Sequence, residues 1–270
     1  MTESLSSPLR VGLVGYGAIG RVVADALASS SGIELVGAVV RSARASQVGR
    51  PTLPLFTSVE SLLDRSPRLV LECAGHAALH AHGPSMLEAG VDLLVASVGA
   101  LADAALLERL QRAAGQGGAR ISIPAGALAG LDALAAARPA GLDEVEYIGR
   151  KAPKAWRGTP AEERLDLDRV GAPIVFYEGT AREAALAFPQ NANVVAAVAL
   201  AGVGFERTHV RLMVDPGEPR NCHVVRARGA FGELETRVVA HTLPANPKTS
   251  MLAPWSLVRA VRNRVETLVV

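Results

Sequence analysis

The sequence predicts an α/β chain in two parts: a doubly wound parallel sheet, then a mixed α+β domain, with a final helix returning to the first part. Up to residue 123, apolar segments of strand length alternate with amphipathic segments of helix length. Those strand segments are almost wholly apolar, which is typical of a sheet covered by helices on both faces. From about residue 145, strand-like segments follow one another with few helices between them. We therefore predict one domain at 1–123 plus 244–270 and a second at 124–243.

Composition narrows the class of protein. The 270 residues are 49% apolar and 20% charged, as in soluble globular proteins, and the net charge of +2 is too small to favour nucleic acid. Two cysteines, far apart in the sequence, favour neither a disulfide framework nor a metal site. The first residues show neither a basic nor an apolar segment, so we expect no signal peptide, and no apolar run predicts a transmembrane helix. We expect a cytoplasmic enzyme with neither a membrane nor a nucleic acid as partner.

The first strand and helix are joined by a glycine motif. The apolar segment 9–14 ends in Gly15-x-Gly17-x-x-Gly20, and residues 21–28 follow with helical spacing. Gly15 permits the tight turn, Gly17 lets a pyrophosphate approach the backbone, and Gly20 lets helix and strand pack closely. This context predicts a Rossmann-type dinucleotide site; the alternative is a glycine turn without a ligand. The residues expected at the pyrophosphate are Gly15, Gly17, Ala18, Ile19 and Gly20.

The end of the second strand, residues 33–40, bears on the choice of cofactor. A carboxylate there would bind the adenosine ribose and select NAD, but none occurs between Gly37 and Gln47. Instead Arg41 is followed by Ser42 and Arg44. These groups suit a 2′-phosphate, so we predict NADP, or dual use of NAD and NADP, with Arg41 as a contact. The alternative is that Arg41 stacks on the adenine ring.

The remaining strands of the first part are predicted at 69–74, 91–99 and 119–124. The helices are predicted at 58–63, 103–114 and 77–89, the last interrupted at Gly83-Pro84. The loops after these strands fall where a doubly wound sheet opens its ligand crevice, so Ala74 and Gly75 are expected to line the cofactor.

In the second part, strands are predicted at 144–150, 173–178, 209–214, 222–229 and 233–243, and a helix at 193–201. Residues 151–170 are rich in Pro, Arg and Glu, which predicts an exposed excursion. Thr249-Ser250 is expected to cap the final helix.

A base is the remaining requirement of a hydride-transfer site. Among six histidines, position alone leaves two open: His76, which ends a strand beside the expected cofactor, and His223, which begins a strand in the second part. Lysines are few, and none follows the strand near Ser97, where several dehydrogenase classes carry one.

Several motifs, in this order and spacing, give the chain its resemblance to the L-aspartate dehydrogenase family over nearly its whole length. They are Val11–Gly20, Ser97–Leu101, Pro124–Asp132, Tyr177–Gly179, Phe188–Val194, Asn221-Cys222-His223 and Asn246–Ser250.

That resemblance implies NAD(P)-dependent oxidative deamination of L-aspartate, giving iminoaspartate and then oxaloacetate and ammonia. It assigns the active-site role to His223, which would accept a proton from the substrate ammonium or from water, and cofactor contacts to Ala127 and Asn193. It also implies a homodimer and a link to NAD biosynthesis. The substrate carboxylates need cationic or N–H partners, for which Lys248, Arg182 and helix N-termini are candidates.

Two other functions share the fold. One is an imine reductase of the dihydrodipicolinate-reductase type, and the other is a non-catalytic dinucleotide-sensing protein. The Ala- and Gly-rich loop at 124–130 and the strand-borne His223 favour an aspartate dehydrogenase over the imine reductase. A candidate base in the C-terminal part of the chain argues against the sensing protein.

Overall fold

A computed structural model describes residues 7–41, 51–189 and 191–270, without the side chains of Pro247 and Lys248. The chain forms two compact units. The first consists of the described residues up to Ser97, with Ala104–Pro124 and Pro254–Val270. The second consists of Val98–Asp103 and Ala125–Ala253. None of the described helices is long and apolar enough to cross a membrane.

The first unit is built on a six-stranded sheet in the order β3-β2-β1-β4-β5-β6, and its paired neighbours are all parallel. The strand order reverses beside β1, which creates the crevice where doubly wound sheets bind ligands. The strands are β1 (Leu9–Val14), β2 (Ile33–Val39), β3 (Leu55–Phe56), β4 (Leu69–Glu72), β5 (Asp92–Val95) and β6 (Ile121–Ser122).

Helices α1 (Ala18–Leu27), α2 (Val59–Leu63), α3 (His76–Glu88) and α4 (Ala104–Gly117) accompany this sheet. Most of the final helix, α8 (Leu252–Arg262), also belongs to this unit. Its Leu257, Val258 and Val261 are buried in the same core as Val11 and Leu13 of β1. The expected return of the chain to the first unit is confirmed, and the Ser250 hydroxyl caps α8 by accepting the Leu252 N–H at 3.2 Å.

Helix α3 continues through Pro84, whereas the sequence predicted an interruption there. A proline inside a helix leaves the carbonyl four residues earlier without its N–H donor. Here that carbonyl belongs to His80, and the Arg109 guanidinium of α4 donates a hydrogen bond to it. A side chain from the neighbouring helix thus replaces the missing donor, and the helix is preserved.

The second unit contains a five-stranded sheet in the order β11-β10-β7-β9-β8. The β7–β9 pair is parallel and the other three pairs are antiparallel, so the expected mostly antiparallel sheet is confirmed. The strands are β7 (Leu142–Lys151), β8 (Ile174–Thr180), β9 (His209–Val214), β10 (Asn221–Gly229) and β11 (Gly232–Ala240). The segment predicted as one strand to residue 243 ends at Ala240. A short hairpin of β12 (Thr242–Leu243) and β13 (Asn246–Ser250) follows.

Three helices complete the second unit: α5 (Leu131–Ala137), α6 (Ala181–Ala187) and α7 (Ala192–Ala201). Helix α7, composed largely of Ala and Val, packs against α5, α6 and the 3-10 helix Val98–Ala102. The segment 151–170 is only partly the exposed excursion that the sequence predicted, because Trp156, Ala161 and Leu167 are buried.

Candidate active site

The glycine turn between β1 and α1 has a distinct geometric reason at each position. Gly15 has a φ of +100°, and an added Cβ would lie 2.8 Å from the backbone of Cys73 and Ala74. A Cβ on Gly20 would overlap the carbonyl oxygen of Gly15. Around Gly17 no atom lies within 4 Å of an added Cβ, so the backbone there is open to a close-approaching group.

This turn ends at the N-terminus of α1, where the first backbone N–H groups have no partner within the helix. Gly17 is the N-cap, and its carbonyl accepts the Arg21 N–H at 3.0 Å. The amides of Ala18, Ile19 and Gly20 therefore precede the first bonded turn, at the positive end of the helix dipole. Open backbone beside such an end suits a pyrophosphate, so the turn fits a dinucleotide.

Arg41 is exposed and directly follows Val40, whose N–H bonds the Phe56 carbonyl at 2.8 Å. This places the guanidinium just past the end of β2, as the sequence predicted. Ser42 and Arg44, the other groups of that prediction, lie outside the described residues.

Glu72, at the end of β4, is a fully buried carboxylate that the sequence analysis missed. Its Oε1 accepts the N–H groups of Ala74 and Gly75, at 2.8 and 2.9 Å, and the hydroxyl of Ser97, at 3.0 Å. Its Oε2 accepts the Ser97 N–H at 3.0 Å. The amides of Ala74 and Gly75 are thus committed to Glu72 and are not available as donors to a cofactor. An acidic residue closing an otherwise apolar strand was the available signal.

His223 lies in the second unit, on β10, and is only 5% exposed. Its Nδ1 shares a hydrogen bond of 2.8 Å with the Tyr147 hydroxyl, and Nε2 makes no hydrogen bond to a described residue. Burial, and then the charge of Lys151, lower the pKa of His223 from 6.5 to about 3. The imidazole is therefore neutral over the whole physiological range, with one nitrogen held and the other available.

Strand register brings a lysine beside this histidine. His223 pairs with Gly149 of β7, so Tyr147, Gly149 and Lys151 share a face of the sheet with it. Lys151 is buried, and its Nζ donates to Asn191 Oδ1 at 2.6 Å and lies 4.8 Å from the centre of the Trp156 ring. Burial lowers the pKa of Lys151 to about 8. Sequence reasoning missed this grouping, whose members come from separate segments.

The other predicted contacts of the second unit occupy defined positions. Asn193 lies in the first turn of α7, and its Oδ1 accepts the Gly99 N–H at 2.9 Å. Ala127 is buried in a turn in which the Leu128 N–H bonds the Ala125 carbonyl at 3.1 Å.

Among the side chains predicted to bind a substrate carboxylate, Arg182 already has partners within the protein. It pairs with Glu206, donates to the Ala102 carbonyl, and lies 5.1 Å from the centre of the Phe205 ring. Lys248, the other candidate, belongs to the side chains that the structure leaves undescribed. No group of three or more described His, Cys, Asp and Glu side chains is arranged to bind a metal.

Comparison with known proteins assigns a family model to each part of the chain. Residues 15–124 match the NAD-binding domain of homoserine dehydrogenase, and residues 132–264 match the C-terminal domain of aspartate dehydrogenase. The glycine turn falls within the first match. Tyr147, Lys151, Asn191 and His223, together the His223 cluster, fall within the second.

Whole-chain relatives agree with these matches. The chain is 48% identical to an L-aspartate dehydrogenase of Ralstonia nicotianae over 266 residues, which covers 96% of this chain and 99% of the relative. It is 46% identical to one of Ralstonia pickettii, with the same coverage. The crystal structure of aspartate dehydrogenase from Thermotoga maritima superposes with a TM-score of 0.78 at 26% identity, covering 97% and 99% of the two chains. These similarities support an oxidoreductase that uses a nicotinamide cofactor, and the chain belongs to the L-aspartate dehydrogenase family.

Proposed function

We propose that the protein oxidises L-aspartate to iminoaspartate, which hydrolyses to oxaloacetate and ammonia, with His223 as the acid/base residue. The observation that carries this proposal is the state of His223: neutral, buried, held at Nδ1 and free at Nε2, in the part of the chain that matches aspartate dehydrogenases. A bound nicotinamide would supply the acceptor for the hydride that leaves the substrate Cα.

The hydrogen bond between Tyr147 and His223 is compatible with both tautomers of the neutral imidazole. When Tyr147 donates to Nδ1, the proton of the neutral ring is on Nε2, which then acts as a donor. When Nδ1–H donates to the phenol oxygen instead, Nε2 presents a lone pair that accepts a proton from the substrate ammonium or from water. Burial raises the pKa of Tyr147, so the phenol stays neutral in either arrangement.

The proposal also covers the cofactor contacts, the oligomeric state and the cellular role. The open backbone at Gly17 and the N-terminus of α1 would hold the pyrophosphate, and Arg41 would favour a 2′-phosphate, so that both NAD and NADP are used. Ala127 and Asn193 would provide further contacts. We also propose a cytoplasmic homodimer that supplies iminoaspartate for NAD biosynthesis.

The decisive experiment measures reduced cofactor formed from aspartate, with glutamate, alanine and homoserine as control substrates. We expect aspartate to be preferred by a large factor in kcat/KM. We expect His223→Ala to lower kcat at least about a hundredfold, the usual scale of a general acid or base. If His223→Ala keeps kcat within threefold of the parent, the acid/base assignment is wrong. A preference for NAD above a hundredfold would refute the role of Arg41.

A further inference from the structure

The buried cluster around His223 contains more hydrogen-bond donors than acceptors. The ammonium of Lys151 has three N–H donors, and Asn191 Oδ1 is its one hydrogen-bond acceptor among the described residues. No described carboxylate lies within ion-pair distance of it, although the side chain is only 6% exposed. A buried charge without a counter-ion is unusual and requires an explanation.

Asn191 orients Lys151. A lysine ammonium only donates, so the amide oxygen of Asn191 must face Lys151, and this fixes the amide nitrogen on the other side. That nitrogen, Nδ2, is buried and interacts with the Tyr147 hydroxyl, although not in good hydrogen-bond geometry. Asn191 is 1% exposed, so its amide is fixed by its neighbours and Lys151 keeps two N–H donors without a described acceptor.

Gly149 lets neighbouring groups pack directly over β7. An added Cβ at Gly149 would lie 2.9 Å from the Tyr147 hydroxyl and 3.1 Å from both Asn191 Nδ2 and Leu212 Cδ2, so these groups already occupy the place of a side chain. Helix α7 begins at Ala192, directly after Asn191, and its positive end adds to the charge of Lys151. The local charge therefore suits an anion that accepts a hydrogen bond from Lys151.

We propose that Lys151, oriented by Asn191, binds one carboxylate of a dicarboxylate substrate beside His223. The inference deepens the proposed function and rests on it only for the identity of that substrate as aspartate. The charge of Lys151 would pair with the carboxylate, and Asn191 Oδ1 would hold the ammonium in position. Trp156, which packs over the ammonium and donates its own Nε1–H to the Met213 carbonyl at 3.0 Å, would hold the lysine in place.

Succinate tests the site without any reaction, because it has two carboxylates and no amino group to oxidise. Isothermal titration of succinate would compare the full-length parent with Lys151→Met and Asn191→Ala, and with Lys154→Met as the matched control. Lys154 is an exposed lysine three residues away. We expect the Kd for succinate to rise at least tenfold in both cluster variants and to stay within twofold in Lys154→Met. Succinamide, the uncharged analogue, should bind no variant measurably.

Two further measurements make the result unambiguous. Thermal melting checks folding, and Lys151→Arg, which keeps the charge, should recover part of the affinity that Lys151→Met loses. Equal succinate affinity in the parent and Lys151→Met would overturn the inference, as would an unchanged KM for aspartate in Lys151→Met. Succinate binding that depends on Lys151, in a protein that does not oxidise aspartate, would support the site and reject the proposed function alone.

Discussion

Lys151 is the residue at which stability and function oppose one another. Burial lowers its pKa from 10.5 to about 8, so between these values the unfolded chain holds a proton that the folded chain has lost. Burying the charged lysine therefore lowers the free energy of unfolding by a constant amount below pH 8. This cost decreases as the pH rises toward 10.5. A shift of this size corresponds to about 3 kcal/mol.

We expect Lys151→Met to raise the free energy of unfolding at pH 7 by as much as about 3 kcal/mol. The gain should shrink as the pH approaches 10.5, where the lysine is becoming neutral in both states. Urea unfolding at pH 7 and pH 10 measures both effects. Lys154→Met, at an exposed site, should change stability by less than about 0.5 kcal/mol at either pH. A less stable Lys151→Met at pH 7 would contradict the prediction.

The sequence singled out His223 as a candidate, but it did not indicate which residues surround it. His223 lies in a short motif, Asn221-Cys222-His223, that family resemblance picks out. Lys151 and Tyr147 join it only through the pairing of β10 with β7, and Asn191 joins through the start of α7. Strand register depends on contacts between distant segments, so no local pattern of residues reveals which side chains share a face.

At the scale of elements, the turn between β1 and α1 has the backbone geometry that the glycine spacing predicted, because local steric rules determine it. Gly20→Ala should destabilise the protein by about 1–3 kcal/mol, since its Cβ would overlap the Gly15 carbonyl. Gly17→Ala should cost less than about 1 kcal/mol, because the space there is empty and its φ of −88° suits alanine. The added methyl should nevertheless raise the Kd for NADP at least tenfold. Thermal melts measure the packing role of Gly20, and cofactor titrations measure the role of Gly17 in cofactor access. Equal destabilisation by Gly20→Ala and Gly17→Ala would contradict this assignment of roles.

The loops after β4 and β5 depend on Glu72. In Glu72→Gln one amide nitrogen must face an N–H or hydroxyl donor, so at least one buried group loses its partner, at about 1–3 kcal/mol. We expect a lower melting temperature and a several-fold higher Kd for the dinucleotide. Glu88→Gln, at an exposed position of α3, is the control and should leave both unchanged. A Glu72→Gln protein with parental stability would show that the loops hold without the charge.

Other elements show where local patterns mislead. The Gly83-Pro84 pair indicated a break in α3, but Arg109 from α4 satisfies the freed His80 carbonyl. The single strand expected at 233–243 ends at Ala240 and a short hairpin follows, because β11 ends where its partner β10 begins, at the Ala240–Asn221 pair. In both cases a contact distant in sequence decided the outcome.

For the whole molecule, the order of elements was enough to predict the doubly wound sheet. It did not predict how the strands of the second sheet pair. In the first unit β1, β3, β4 and β5 each precede a helix, and right-handed crossovers then permit few arrangements. In the second unit β7 and β9 pair in parallel although β8 lies between them in sequence. Apolar alternation identifies such strands without choosing their neighbours.

The pH dependence of the reaction follows from the two shifted groups of the His223 cluster. His223 is neutral above its pKa of about 3, and Lys151 is cationic below its pKa of about 8. Between these pH values the site therefore holds a neutral base beside a lysine cation that can bind the substrate carboxylate. Tyr147, the third ionisable group on this face of the sheet, has a raised pKa and stays neutral. The neighbouring Arg150, on the opposite face, pairs with Asp215 and keeps its charge.

We therefore expect kcat/KM for aspartate to fall as the pH rises past about 8, because neutral Lys151 no longer attracts a carboxylate. Lys151→Arg should flatten this alkaline limb, since a guanidinium keeps its charge above pH 12. Lys154→Arg, the exposed control, should keep the parental profile. Steady-state rates from pH 6 to pH 10, at saturating cofactor, provide the comparison. An alkaline limb that persists unchanged in Lys151→Arg would mean that a group other than Lys151 titrates.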